Sequence, residues 1–152
     1  METLAGHSVE YVVIGGVAAT IWGSPRNTED LDICPSKEPE NLARLADGLK
    51  ALGARVRGSG REIDSTFGDL TSLSLVTKYG WIDVWFRPDG TRGYRDLIEH
   101  ASEAEFRGVR VQVADLEDVI RSKAAAGRDR DLEAISHLRE LQERRKRLGS
   151  RW

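Results

Sequence analysis

Apolar positions along the chain switch between a two-residue and a three-to-four-residue period, and the switches mark its elements. Residues 9–14 (VEYVVI) are an apolar, β-branched run of strand length that stops at Gly15-Gly16. Residues 17–22 (VAATIW) read as a short helix, broken by Gly23-Ser24-Pro25 because the residue before a proline is pushed out of the helical region. A second short strand, residues 31–34, ends at Pro35. Residues 38–52 place Leu42, Leu45, Leu49 and Leu52 at three- and four-residue steps, which predicts an amphipathic helix with Pro39 in its first turn and Gly53 as its stop.

Residues 54–69 are Gly-rich and weakly patterned, and predict a short strand followed by a loop. Residues 70–77 and 81–86 predict two strands around the turn Lys78-Tyr79-Gly80, and residues 94–101 a short helix. A small hairpin is expected from residues 105–106 and 109–113 around Arg107-Gly108. Asp115 is placed to cap a helix running to Ala126, with Glu117 and Asp118 where the helix dipole favours acids. Gly127 then separates a last helix over residues 129–148. Strands interleaved with helices predict an α+β (α/β) fold. With no internal repeat and no linker long enough to divide it, the chain is expected to form one domain over residues 1–152, with a helical C-terminal segment at about 115–148.

Composition narrows the function classes. A net charge of −2 argues against coating nucleic acid or an anionic membrane by bulk charge, but leaves room for nucleotides bound by local features. No apolar run approaches the roughly 20 residues that span a bilayer. The first residues, METLAGHSVE, lack the basic and apolar regions of a signal peptide, so a cytoplasmic location is expected. The single cysteine, Cys34, excludes an internal disulfide and is expected to fill the core. With His7, His100 and His137 scattered, a zinc cluster is excluded as well, and none of these four residues has a spacing that suggests catalysis.

The candidate chemistry lies in residues 11–33, YVVIGGVAATIWGSPRNTEDLDI. A strand running into Gly15-Gly16 at a helix start lets backbone approach a ligand and offers free N–H groups to phosphate, although such a turn is often only a turn. Asp30 and Asp32 flank Leu31, and in extended backbone their side chains leave on the same side. Two such carboxylates repel unless a cation lies between them, and Mg²⁺, which takes hard oxygen ligands and keeps positions open for phosphate, is the natural candidate. The alternative is a solvated Asp-x-Asp at a strand edge. Asp83 sits within WIDVWF, where Ile82, Val84 and Phe86 form one face and Trp81, Asp83 and Trp85 the other. Its charge requires an exposed face or a partner. Beside Asp30 and Asp32, it would complete a set of three acids able to hold two divalent ions for phosphoryl or nucleotidyl transfer. Trp81 and Trp85 could stack on a base or serve packing.

Taken in order, these residues resemble the DNA-polymerase-β-type nucleotidyltransferase superfamily. The nearest resemblance is to the small bacterial group that includes minimal nucleotidyltransferase domains and abortive-infection, type IV toxin–antitoxin enzymes. That group's pattern is a strand, Gly-Gly, a short helix, then Gly-x-x-Arg-x-Thr-x-Asp-x-Asp, matched here by Gly23-Ser24-Pro25-Arg26-Asn27-Thr28-Glu29-Asp30-Leu31-Asp32. The segment SKAAAGRDRDLEAISHL, residues 122–138, is similar to the family's helical Lys, Ala-Gly-Arg, Lys/Arg-Asp segment. The resemblance implies a mixed, twisted sheet flanked by helices and transfer of a nucleoside monophosphate from an NTP such as ATP to an acceptor, with release of pyrophosphate. It implies Asp30 and Asp32 as metal ligands, Asp83 as the third, acting on the acceptor nucleophile, and Gly15 and Gly16 as a cradle for the triphosphate. Many members carry at the second glycine position a serine whose hydroxyl contacts phosphate. Gly16 leaves that task to backbone N–H groups and cations.

Arg26 and Thr28 are candidate nucleotide-binding residues: Arg26 could bind phosphate bidentately or neutralise the aspartate pair, and Thr28 could instead be structural. Lys123 and Arg128 are candidates to reach the triphosphate, or else surface cations with Arg128 bonded to Asp131. The run Arg144-Arg145-Lys146-Arg147 could dock on RNA or an acidic partner, or simply be solvated. The leading expectation is an Mg²⁺-dependent nucleotidyltransferase, with two ions and an acceptor hydroxyl on RNA, protein or a small molecule. The alternatives are a catalytically weak, partner-binding member of a toxin–antitoxin pair, with a cognate toxin or antitoxin as partner, and a metal-dependent phosphohydrolase.

Overall fold

The computed structural model describes residues 1–26, 28–64 and 67–149. Asn27 of the motif, Ser65 and Thr66 of the Gly-rich segment, and the end of the basic tail at Arg151 lie outside the described residues. The elements in chain order are α1 (Glu2–Gly6), β1 (Tyr11–Ile14), α2 (Gly15–Ile21), β2 (Asp30–Pro35), α3 (Pro39–Ala51), β3 (Arg55–Val56), β4 (Ser72–Thr77), β5 (Gly80–Trp85), α4 (Tyr94–Ile98), β6 (Ser102–Phe106), β7 (Val109–Val113), α5 (Leu116–Ala126) and α6 (Asp129–Gly149).

The seven strands form one mixed sheet in the order β3-β4-β5-β2-β1-β7-β6. β1 runs antiparallel to β2 and parallel to β7, and β2 runs parallel to β5, while the outer pairs are antiparallel. The central strands carry the most buried apolar residues: Val12, Val13, Ile33, Val84 and Val113 are each 0% exposed. α3 covers β2 with the predicted leucine stripe, where Leu45 and Leu49 are also fully buried. Asn41 in α3 is buried too, and it accepts from Glu10 N (2.7 Å) and donates to Glu10 O (2.9 Å) and Ser36 O (2.8 Å). Its amide thereby ties the helix to the residue before β1 and the residue after β2, with its own buried polar atoms bonded.

Three helix boundaries are set by capping. Asp115 accepts from Glu117 N at 3.1 Å, as predicted for the start of α5. Gly127 at φ 66° closes that helix in the left-handed conformation, and Gly53 at φ 65° follows α3. α2 starts at the two glycines, two residues earlier than the apolar pattern predicts. α1 has no counterpart in the pattern, because its five residues show no period. Leu4 anchors it against Gly48 of α3, where a Cβ would come within 3.1 Å. Cys34 is fully buried beside the aspartates' strand, and burial pushes its thiol up to about 12. Among the described residues no helix is long and apolar enough to cross a membrane.

Candidate active site

Two parallel neighbours bring the acids together. β2 and β5 pair in the register Asp30↔Trp81, Leu31↔Ile82, Asp32↔Asp83 and Ile33↔Val84. Side chains alternate across a strand, and adjacent strands lie about 4.8 Å apart. Ile33, Ile82 and Val84 therefore point into the core, while Asp30, Asp32 and Asp83 share the opposite face. All nine residues singled out in the sequence, the three acids with Gly15, Gly16, Arg26, Thr28, Lys123 and Arg128, line one cavity of about 420 Å³.

Asp32 is the most perturbed acid. Burial pushes its carboxyl up to about 6, the charges of Asp83 and Asp30 push the same way, and a hydrogen bond from Trp85 Nε1 to Oδ1 (3.2 Å) opposes them. Gly15, at φ 64°, is pressed against this carboxylate: a Cβ there would collide with Asp32 Oδ2. Gly16 meets the loop that returns to β2. A Cβ at Gly16 would lie 2.9 Å from Thr28 Oγ1 and 3.0 Å from Thr28 Cβ. The Thr28 hydroxyl donates to Asp30 O at 3.2 Å. The same hydroxyl occupies the space beside the second glycine.

Of the two possibilities left open for Asp83, an exposed face or a partner, the structure supplies a partner, and it is a residue that sequence reasoning missed. Arg57, just past β3, donates from Nη2 to Asp83 Oδ1 at 3.1 Å, with its guanidinium 4.4 Å from the centroid of the Trp81 ring. Its backbone N–H donates to Ser74 O, and Ser74 stands opposite Asp83 in the β4–β5 ladder. The two tryptophans therefore divide. Trp85 lines the cavity with its indole N–H engaged by Asp32, whereas Trp81 lies outside the lining under Arg57.

On the opposite wall, Asp131 of α6 is 2% exposed and is held by Arg128 Nε (2.6 Å) and Lys123 Nζ (3.8 Å). Burial alone would raise its carboxyl, but the hydrogen bond and charge of Arg128 and the charge of Lys123 hold it below the usual range. The alternative reading of Arg128, bonded to Asp131, is the one realised, and it keeps both cations at the cavity wall. Part of the basic run likewise has an internal role. Arg145 stacks 4.3 Å over the Trp22 ring and Lys146 pairs with Glu143 at 3.5 Å.

A divalent cation fits the chemistry of these oxygens in one mode. Among the described residues no group of three or more His, Cys, Asp or Glu is arranged to hold a metal ion by itself. Mg²⁺ does not demand one, because it is commonly held by one or two carboxylates with the remaining positions filled by water and substrate phosphate. The facing pair Asp32 and Asp83, with Asp30 beside them, has that form.

No protein-family model matches the chain, and no curated protein sequence matches it. Solved structures do. A lincosamide antibiotic adenylyltransferase, LnuA, with lincomycin bound, superposes with a TM-score of 0.64 at 13% identity, covering 92% of each chain. The antibiotic-resistance factor ANT(2'')-Ia, in complex with adenylyl-2''-tobramycin, gives 0.58 at 15% identity, covering 99% of this chain and 92% of its own. A Thermotoga maritima protein provisionally assigned as a nucleotidyltransferase gives 0.57 at 18% identity, covering 95% and 88%. The mixed seven-stranded sheet with its flanking helices is thus the nucleotidyltransferase fold.

Proposed function

We propose that this chain is an Mg²⁺-dependent nucleotidyltransferase that moves a nucleoside monophosphate from an NTP to a hydroxyl of a small molecule. The observation that carries the reading is the in-register pair Asp32↔Asp83, with Asp30 one pleat away and Gly15-Gly16 at the rim of the same cavity. That two of the structural neighbours are a lincosamide antibiotic adenylyltransferase with lincomycin bound and ANT(2'')-Ia with adenylyl-2''-tobramycin favours a compact, hydroxyl-bearing acceptor over RNA or protein.

Asp30, Asp32 and Asp83 would hold the cation, which when bound neutralises triphosphate charge and polarises the phosphorus under attack. The backbone at Gly15 and Gly16, with Arg26, would take the phosphates. Arg128 and Lys123 face them from the far wall, fixed by Asp131. Asp83 is the group closest to an acceptor entering over β5, and Arg57 fixes Oδ1 so that the carboxylate is aimed before the acceptor arrives. The acceptor oxygen gives its proton to Asp83 and bonds to the α-phosphorus, and the bond to the bridging oxygen breaks, releasing pyrophosphate.

The test is incubation with α-labelled NTPs, Mg²⁺ and a panel of lincosamides and aminoglycosides, followed by separation of the products. Label on a small molecule, abolished by Asp30→Ala with Asp32→Ala, is the expected result. Label confined to free nucleotide would show a phosphohydrolase, and equal transfer by the double variant would refute the assignment.

A further inference from the structure

The acids around the cavity are not held alike. Asp83 is paired with Arg57, and Asp131 with Arg128 and Lys123. Asp32 has no ion pair among the described residues. The N–H that reaches it belongs to the indole of Trp85, which donates from Nε1 to Oδ1 at 3.2 Å. The sheet sets this contact. Asp32 faces Asp83 in the β2–β5 register, and Trp85 stands two residues beyond Asp83 on the same face, so its ring reaches diagonally from β5 to β2. Trp85 is itself fixed in its strand, opposite Ser72 of β4, and the next N–H, that of Phe86, is donated to Thr71 O at 2.9 Å.

A carboxylate needs such a tie to be a defined ligand. The last torsion of an aspartate is broad and roughly two-fold, so rotamer preference leaves the plane of its oxygens open. On Asp32 that plane is bounded from two sides. Oδ1 accepts from Trp85, and Oδ2 lies in the space that Gly15 leaves by having no Cβ. The nature of the donor matters as much as its place. A Lys or Arg here would bring a positive charge to the oxygens that a divalent cation needs, and the two would compete. An indole has one N–H, no acceptor and no charge. It aims the carboxylate and leaves its charge uncompensated.

We infer that Trp85 is a positioning residue for the divalent cation, acting through Asp32: its indole N–H presets the carboxylate without touching the ion. The inference rests on the Mg²⁺-dependent reading of this site and adds to it a residue outside the three acids. It is a third use for this ring, beside base stacking and packing, and it depends on the donor rather than on the bulk of the side chain. Removing an outer hydrogen bond to a ligating carboxylate typically costs roughly 10- to 100-fold in metal affinity.

The experiment is a titration of Mn²⁺, followed by loss of its free-ion electron paramagnetic resonance signal, into wild type, Trp85→Phe, Trp85→Gln and the variant carrying Asp30→Ala with Asp32→Ala. Wild type should bind, and the double variant should not. Trp85→Phe keeps an aromatic ring and loses the donor, and should bind roughly tenfold more weakly than wild type. Trp85→Gln loses the ring but keeps an N–H at the same number of bonds from Cβ, and should bind more tightly than Trp85→Phe. Unchanged affinity in Trp85→Phe, or a Trp85→Gln no better than Trp85→Phe, would overturn the positioning role while leaving the acids as the metal site. In wild type, the indole N–H resonance of Trp85, identified by its absence from Trp85→Gln, should shift along the Mg²⁺ binding curve. A resonance unmoved at saturation would overturn the role whatever the variants do. Failure of wild type to bind Mn²⁺, or equal binding by the double variant, would overturn the metal-dependent reading together with it.

Discussion

Replacing Asp32 with Asn should stabilise the metal-free protein. Asp32 is held mostly buried, and its carboxyl is pushed from 3.8 up to about 6 by burial first and by Asp83 and Asp30 second. Between those values the folded chain binds a proton that the unfolded chain has released, so stability falls as pH rises through the window and stays low above it. The shift corresponds to at most about 3 kcal/mol of destabilisation at pH 7.5, at 1.36 kcal/mol per unit. Asn carries no charge and keeps an oxygen for the Trp85 indole N–H, now donated over 3.2 Å. In EDTA at pH 7.5, Asp32→Asn should therefore melt roughly 6–12 °C above wild type, given 2–4 °C per kcal/mol for a domain of this size. Well below pH 3.8 the difference should shrink towards zero, because wild type is then neutral at this position in both states. Adding Mg²⁺ with a non-hydrolysable NTP should raise wild type and leave the variant nearly unmoved. The measurement is thermal unfolding followed by circular dichroism across pH. A variant less stable than wild type at pH 7.5, or a gap that does not change with pH, would refute the reasoning that Asp32 is an uncompensated buried charge.

Gly16→Ser should cost about 1–3 kcal/mol in urea unfolding, because its Cβ arrives 2.9 Å from Thr28 Oγ1 in a packed contact. Combining it with Thr28→Gly should cost less than the two changes separately, a coupling that a double-mutant cycle reads directly. Lys123→Ala with Arg128→Ala should destabilise by about 3 kcal/mol, because it leaves the buried Asp131 carboxylate without either of its cations. Adding Asp131→Asn to that pair should restore most of the loss in a denaturant titration at pH 7.

The parts of this architecture that were legible in the sequence are those whose signal is local. The leucine stripe 42-45-49-52 and the alternation in WIDVWF each describe one element and the face it buries, and Leu45, Leu49, Ile82 and Val84 lie where that alternation puts them. Asp115 and Gly127 mark the ends of α5 through their own backbone and side-chain chemistry. Arg57 was not legible, because it follows a two-residue strand in a Gly-rich stretch and reaches Asp83 only through the pairing of β3 on β4. α6 is rich in charge all round, and the stripe that faces the cavity is defined by α5 lying against it. Strand order stayed out of reach because it depends on which edges meet across long separations, and β2 finds β5 across 50 residues.

The Gly-Gly signature itself takes a second meaning from the fold. Its sequence reading ties both glycines to phosphate, yet each is also required by a side chain that arrives later in the chain. Gly15 makes room for the Asp32 carboxylate, and Gly16 makes room for Thr28. The separation between the glycines and the Asp-x-Asp pair is therefore a packing constraint. α2 must end, and the loop through Ser24 and Arg26 must return, in the number of residues that lays β2 back against the start of the helix. A methyl group at either glycine would push away a metal-ligand candidate or the threonine that braces it, without touching any phosphate. Around this turn the space beside the second glycine is filled by the Thr28 hydroxyl, which a Cβ at Gly16 would meet at 2.9 Å.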